Sequence, residues 1–302
     1  MSFIQDALDI LKANDRGEFS VPTHGLYPVQ FNWDSAFASL GYRHFAPQRA
    51  LREVELLLEA QWADGMIPHI IFRGDHDGYF PGPDVWSTGQ PIPTSGITQP
   101  PVAGSILRRL IETGVEVEAE RLGEMVRRLN SWHDWFTRAR QCEDSGAILV
   151  IHPWESGRDN LSDWDAAMAA VVPDTGLGDY RRRDLEHVDA SQRPTKEEYD
   201  RYLTIVRFGR DCDWDQAYLG KHSPFRMIDP GMTAMLLRSE RDLLWLQSRT
   251  GQDISATRSR IARLEEGWRS LWNSRVKGFT SRNIATGALT DAVSAEIGRA
   301  HV

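Results

Sequence analysis

In RALREVELLLEAQWADGMIPH, residues 49–69, a helix gives way to a loop in a manner that recurs along the whole chain. Leu51, Val54, Leu57 and Leu58 recur at three- and four-residue spacing, while Arg52, Glu53 and Glu59 fall elsewhere, so the spacing predicts an amphipathic helix over 49–63. Beyond it the pattern changes to tryptophan, amide, carboxylate, glycine and proline, the composition of a loop. Helical periodicity recurs near 2–13, 34–46, 99–113, 117–139, 163–170, 195–208, 230–250 and 253–273. Strand-like runs are confined to Ile67–Phe72 and Ile148–His152, both short and expected to be isolated. The expected class is therefore all-α. Gly/Pro-rich loops such as Ile67–Gln99 and Ile151–Ser162 separate the helices, and loops of that length in a compact domain usually carry function.

Composition narrows the function. A formal net charge of −8 over 302 residues argues against nucleic acid or an anionic membrane surface as partner. The longest charge-free run, Val85–Leu107, holds four prolines and three glycines, so it is a loop and no bilayer span is expected. Acidic residues interrupt the apolar stretch of MSFIQDALDILKAND, which reads as an amphipathic helix and not a signal peptide, giving a cytoplasmic expectation. Two cysteines, Cys142 and Cys212, are too few for a disulfide framework or a zinc cage; no metal and no cofactor is expected. Runs such as Arg181-Arg182-Arg183 and Glu116/Glu118/Glu120 read as solvated faces.

Eleven tryptophans are many for this length, and several stand in polar, Gly/Pro-rich company. An indole face can bury the apolar C–H face of a pyranose while neighbouring amides and carboxylates pair its hydroxyls. The densest such stretch is His152-Pro153-Trp154-Glu155-Ser156-Gly157-Arg158-Asp159-Asn160, followed by Asp163, Trp164 and Asp165. Glycoside hydrolysis requires one carboxylic acid to protonate the leaving oxygen and a second carboxylate across the sugar. A carboxyl beside an indole suits the first task, because an apolar wall keeps its proton on. Asp163 or Asp165 could alternatively cap the following helix. Tyr27–Asp34, Gln61–His69 and Tyr79–Trp86 with Thr94–Pro101 repeat the recipe at loop–helix junctions. Thr195 through Glu198 has capping-box spacing, so a helix begins there with Tyr199 in its first turns and Arg193 extended before Pro194.

In this order, FNWDSAF, QWADGMIPH, YFPGPDVW, SGITQPPV and HPWESGRDN resemble the bacterial mannosylglycerate and glucosylglycerate hydrolases of glycoside hydrolase family 63. More distantly they resemble processing α-glucosidase I and the trehalases, which share the ESGxD loop. The resemblance runs from about residue 20 to about residue 295 and implies an (α/α)6 barrel and hydrolysis with inversion, releasing hexose and glycerate. It places the general acid at Asp159 and a sugar-contacting indole at Trp154. Tyr27, Trp33, Asp34, Tyr79 and Gln99 fall on sugar-pocket motifs. Arg193 and Tyr199 fall on the stretch that clamps the glycerate carboxylate, roles that suit a bidentate guanidinium and a phenol donor. Where the family continues DNSPxWD, this chain has DNLSDWD.

The implied partner is a small-molecule glycoside of glycerate, and glucose against mannose is left open. Alternatives are a trehalase-like α-glucosidase with a neutral aglycone, for which a buried guanidinium has no use, and a non-catalytic sugar-binding or scaffold protein. The expected organisation is a single domain over 1–302, its barrel incomplete at the C-terminal end. Twelve barrel helices of about 22 residues with connections of about 10 need roughly 380 residues. The family's base, a glutamate, then falls beyond residue 302, so the chain alone is expected to be inactive. Exposed apolar faces would favour its self-association, and a homo-oligomer is left open. Residues 296–302 have no family counterpart and correspond to a translated sequencing-library adapter, so they are expected to be a non-native tail.

Overall fold

The structure, a computed structural model, describes residues 3–76, 78–182, 184–187, 189 and 193–292. The expected tail at 296–302 lies outside the described residues. The described residues form twelve α-helices: α1 (Phe3–Ala13), α2 (Asn32–Tyr42), α3 (Pro47–Glu59), α4 (Pro83–Trp86), α5 (Ala103–Glu112), α6 (Ala119–Ala139), α7 (Asp165–Ala169), α8 (Asp184–His187), α9 (Lys196–Asp211), α10 (Gln216–His222), α11 (Pro230–Thr250) and α12 (Ser255–Arg269). None of the helices among the described residues is long and apolar enough to cross a membrane.

Helices that follow one another pair, as α2 does with α3 and α11 with α12, while α2, α5 and α11 also pack side by side. This alternation of inner and outer helices is that of an (α/α) toroid. Residues 49–59 behave as their periodicity requires: Leu51, Val54, Leu57 and Leu58 are buried in the main core. Burial of each such side chain contributes about 1.5–3 kcal/mol. Gly251, at φ +68°, ends α11 in the left-handed conformation that glycine adopts without strain.

The strand expectations need correction. Both runs hold a strand of two residues, and neither is isolated. β1 (Gln30–Phe31) pairs antiparallel with β2 (Ile70–Ile71), and β3 (Leu149–Val150) joins β4 (Met227–Ile228) and a strand at Arg282–Asn283 in one sheet. A hairpin at Trp272–Asn273 and Gly278–Phe279 replaces the end of the helix expected to reach 273. The first sheet ties the segment before α2 to the loop after α3, and the second ties the loop after α6 to the segment before α11. Asn32 completes the first by donating its backbone N–H to the His69 carbonyl at 3.0 Å and its amide to that of Pro68 at 3.1 Å.

Candidate active site

The loop that follows β3 is built from the inside. Glu155 is fully buried; its Oε1 accepts from Nε and Nη2 of Arg140 at 3.1 and 2.9 Å, and its Oε2 accepts the Ile151 N–H at 2.9 Å. The residue is thus an anchor tying the loop to the end of α6, and it does not line the cavity described below. His152 starts the short 3₁₀ helix Pro153–Ser156, its Nδ1 accepting the Trp154 N–H at 3.1 Å. Its Nε2 lies 3.1 Å from the Tyr202 carbonyl, which makes that nitrogen the N–H donor of a neutral ring. Burial lowers its pKa to about 3, in keeping with that assignment. Gly157 then turns the chain at φ +69°, and a Cβ there would sit 2.4 Å from the Trp33 ring. Only glycine allows both that conformation and that approach. Asp159 follows, its carbonyl accepting the Tyr202 hydroxyl at 3.0 Å.

Three further segments close around this loop. Gln99 accepts the Trp33 N–H through Oε1 at 3.0 Å, satisfying an orphan donor at the start of α2. Asp34 stands in the first turn of α2, where desolvation raises its pKa to about 6 despite hydrogen bonds from its own and neighbouring groups. At α9 both halves of the capping box form: the Glu198 N–H donates to the Thr195 hydroxyl, and the Thr195 N–H to the Glu198 carboxylate at 2.7 Å. The helix so started presents Tyr199 and Tyr202 one turn apart, Tyr199 between Tyr180 and Trp154 at centroid distances of 5.7 and 5.9 Å.

All nine site residues singled out from the sequence, Tyr27, Trp33, Asp34, Tyr79, Gln99, Trp154, Asp159, Arg193 and Tyr199, line one cavity of about 230 Å³. Arg193 donates through Nε to Asp184 at 2.8 Å and through Nη2 to the Tyr27 hydroxyl at 3.2 Å. Burial pulls its pKa down, but Asp184 and Tyr27 more than offset this and the guanidinium stays charged. Burial pushes the phenols of Tyr27, Tyr79, Tyr199 and Tyr202 up, so all four remain protonated donors at neutral pH. The arrangement offers indole faces, neutral hydroxyl and amide donors, two carboxyl groups besides Asp184, and one guanidinium.

Sequence patterns do not single out other lining residues, among them His69, Phe80, Asp184 and Tyr202. His69 and Phe80 stand inside strings quoted for the site, and Tyr202 follows Tyr199 by three positions, a spacing that puts both on one helix face. Burial lowers the His69 pKa to about 3, so its ring is neutral. Asp184 carries no signal, because its neighbours read as a solvated basic run. That reading is corrected for Arg182, which is buried against Asp184; Arg181 is exposed, as are Glu116, Glu118 and Glu120, and position 183 lies outside the described residues. Neither Asp163 nor Asp165 caps α7, whose cap position is Trp164; Asp163 instead accepts the Ser281 hydroxyl at 3.2 Å. Of the tryptophans, Trp62, Trp86, Trp132, Trp135, Trp164 and Trp214 are core residues.

A family model described as the mannosylglycerate hydrolase MGH1-like glycoside hydrolase domain matches residues 27–297. Mannosylglycerate hydrolase MGH1 of Selaginella moellendorffii is 42% identical over 290 residues, 94% of this chain and 59% of that protein. Glucosylglycerate hydrolase of Mycolicibacterium hassiacum is 38% identical over 245 residues, 75% of this chain and 54% of that protein. The crystal structure of the family 63 mannosylglycerate hydrolase from Thermus thermophilus in complex with Tris and D-glycerate superposes with a TM-score of 0.91 at 38% identity. That match covers 97% of this chain and 70% of the Thermus chain. The chain thus spans 59% of the length of the Selaginella relative.

Proposed function

We propose that this chain, which belongs to the mannosylglycerate hydrolase MGH1-like glycoside hydrolase family, binds an α-glycoside of glycerate and supplies the general acid, Asp159, for its inverting hydrolysis to hexose and glycerate. The observation that carries the reading is the union in one cavity of Trp33 and Trp154, the Asp159 carboxyl, and Arg193 with Tyr199. Indoles suit the sugar ring, the carboxyl suits the glycosidic oxygen, and a half-buried guanidinium suits the aglycone carboxylate. A neutral aglycone, as in a trehalase-like enzyme, would leave that cation without a ligand partner.

Asp159 donates its proton to the leaving oxygen as the C–O bond breaks, and water on the opposite face of the sugar must lose a proton to a base. Among the described residues lining the cavity the other carboxyl groups are Asp34 and Asp184. Asp184 is held by two guanidinium groups, and Asp34 is assigned to sugar hydroxyls, so we assign the base to neither. Binding is therefore the part of the reaction these residues supply, and turnover depends on a base contributed from elsewhere. A cytoplasmic location belongs to the proposal and rests on the low cysteine content; self-association belongs to it as well.

Calorimetry with glucosylglycerate and mannosylglycerate, alongside an assay for free hexose, tests the reading. The chain and its Asp159→Asn form are both expected to bind, since an amide keeps the shape of the acid but cannot give up a proton. Any hexose release is expected only where Asp159 is present. Measurable hexose release by the unsubstituted chain that Asp159→Asn matches would remove Asp159 from the mechanism, and no binding by either form would remove the reading.

A further inference from the structure

The basic run at 181–183 hides a second function for charge at the aglycone end. Arg182 is buried and grips Asp184 along two bonds, Nε to Oδ1 at 3.1 Å and Nη2 to Oδ2 at 2.7 Å. Its Nη1 donates to the Pro194 carbonyl beside the start of α9, and its guanidinium lies over the Tyr199 ring, 4.3 Å from the centroid. Asp184 Oδ2 also accepts Arg193 Nε at 2.8 Å. Arg193 and Tyr199 thus rest on a single carboxylate–guanidinium pair.

We propose that Asp184, held by Arg182, is a positioning residue that selects carboxylate-bearing aglycones by fixing Arg193; the proposal rests on the functional reading above. Asp184 takes the Nε of Arg193 and Tyr27 takes its Nη2, so rotation about the end of the side chain is blocked and the outer Nη1–Nη2 edge is left for a ligand carboxylate. Two cations share one anion, which leaves one unit of positive charge for the ligand. The two guanidinium groups hold the Asp184 carboxyl below its usual range even though burial acts the other way, so the device stays ionised at neutral pH.

The sign of one substitution separates positioning from simple attraction. Asp184→Asn adds a unit of positive charge beside the ligand, so attraction alone would tighten binding of an anion. Loss of the Arg193 anchor would weaken it. Calorimetry of the 302-residue chain with D-glycerate, and separately with glucose, is the measurement. Asp184→Asn is expected to bind glycerate at least tenfold more weakly while glucose affinity stays within twofold, and Asp184→Glu to recover part of the loss. Unchanged or tighter glycerate binding would overturn the proposal. If Asp184→Asn does not fold, the unsubstituted protein still decides: the Arg193 Nε–H resonance, identified by its disappearance in Arg193→Lys, is expected to exchange slowly with solvent, and rapid exchange overturns the proposal. That resonance also tells the two apart: an unsubstituted protein that ignores glycerate yet protects Arg193 Nε–H refutes the functional reading and the selection with it, and leaves only the anchoring of Arg193 by Asp184.

Discussion

The hydroxyl of Tyr202 reaches from α9 to the carbonyl oxygen of Asp159 at 3.0 Å and to Oδ1 of Asn160 at 2.9 Å. The helix whose mouth carries Arg193 therefore also holds the loop that carries the proposed acid. Tyr202→Phe removes this tie and leaves the ring packing in place. A loss of about 1 kcal/mol is expected, the net worth of a neutral hydrogen bond, read from urea unfolding midpoints at an unchanged slope. A stability equal to that of the unsubstituted chain would mean that solvent or a neighbouring donor replaces the bond at no cost.

Gly157→Ala should do more damage than a methyl group normally does. The residue sits at φ +69°, and the added carbon would meet the Trp33 ring at 2.4 Å. Strain of about 1–3 kcal/mol is expected, together with displacement of Trp33 and weaker glucose binding. Thermal unfolding and tryptophan fluorescence on titration with glucose measure the two effects. Unaltered glucose affinity would show that Trp33 does not contact the sugar.

Glu155 offers a contrast with Asp159, since both are carboxylates of one loop. Removing Glu155 leaves Arg140 buried without its counter-ion, at a cost of about 3–5 kcal/mol. Glu155→Ala is expected to unfold at a markedly lower denaturant concentration, whereas Asp159→Asn, at the cavity wall, stays close to the unsubstituted value. Near-equal stabilities would contradict the division of labour between anchor and acid.

How far these roles are legible in the sequence depends on where each residue stands. Trp33, Asp34, Gln99 and Trp154 announce themselves because tryptophan, amide and carboxylate cluster where helical periodicity starts or stops. The capping box at Thr195 and Glu198 is legible for the same local reason, and it sets the start of α9. Strands of two residues, as at Met227–Ile228, are too short to show alternation, and α10, with seven residues, is too short for a clear apolar stripe. Arg182 and Asp184 escape because burial of a charge depends on a partner brought by tertiary folding, and nothing in a run of three arginines distinguishes the buried member from the exposed one.

Asp34 carries a pH signature. Desolvation raises its pKa from 3.8 to about 6, so between these values the folded state holds more of its proton than the unfolded state does. Stability from this group is therefore present at low pH and is lost as pH rises from about 4 to about 6. Asp34→Asn cannot ionise and escapes the loss. Denaturant unfolding at pH 4, 5, 6 and 7 should show the stability difference moving in favour of Asn across that window and then levelling. A difference independent of pH would place the Asp34 carboxyl in a well-solvated setting.

In the proposed reading one cavity has a sugar end at Trp33 and Trp154 and a carboxylate end at Arg193. Calorimetric comparison of glucosylglycerate with methyl α-glucoside, on the unsubstituted chain and on Arg193→Ala, puts that arrangement to the test. Loss of a desolvated charge pair costs about 2–4 kcal/mol, so glucosylglycerate is expected to bind at least tenfold more tightly than the neutral glucoside, with that margin gone in Arg193→Ala. Equal affinities for the two ligands on the unsubstituted chain, or equal losses for both on removing Arg193, would mean that Arg193 is structural and that the aglycone end is not built for a carboxylate.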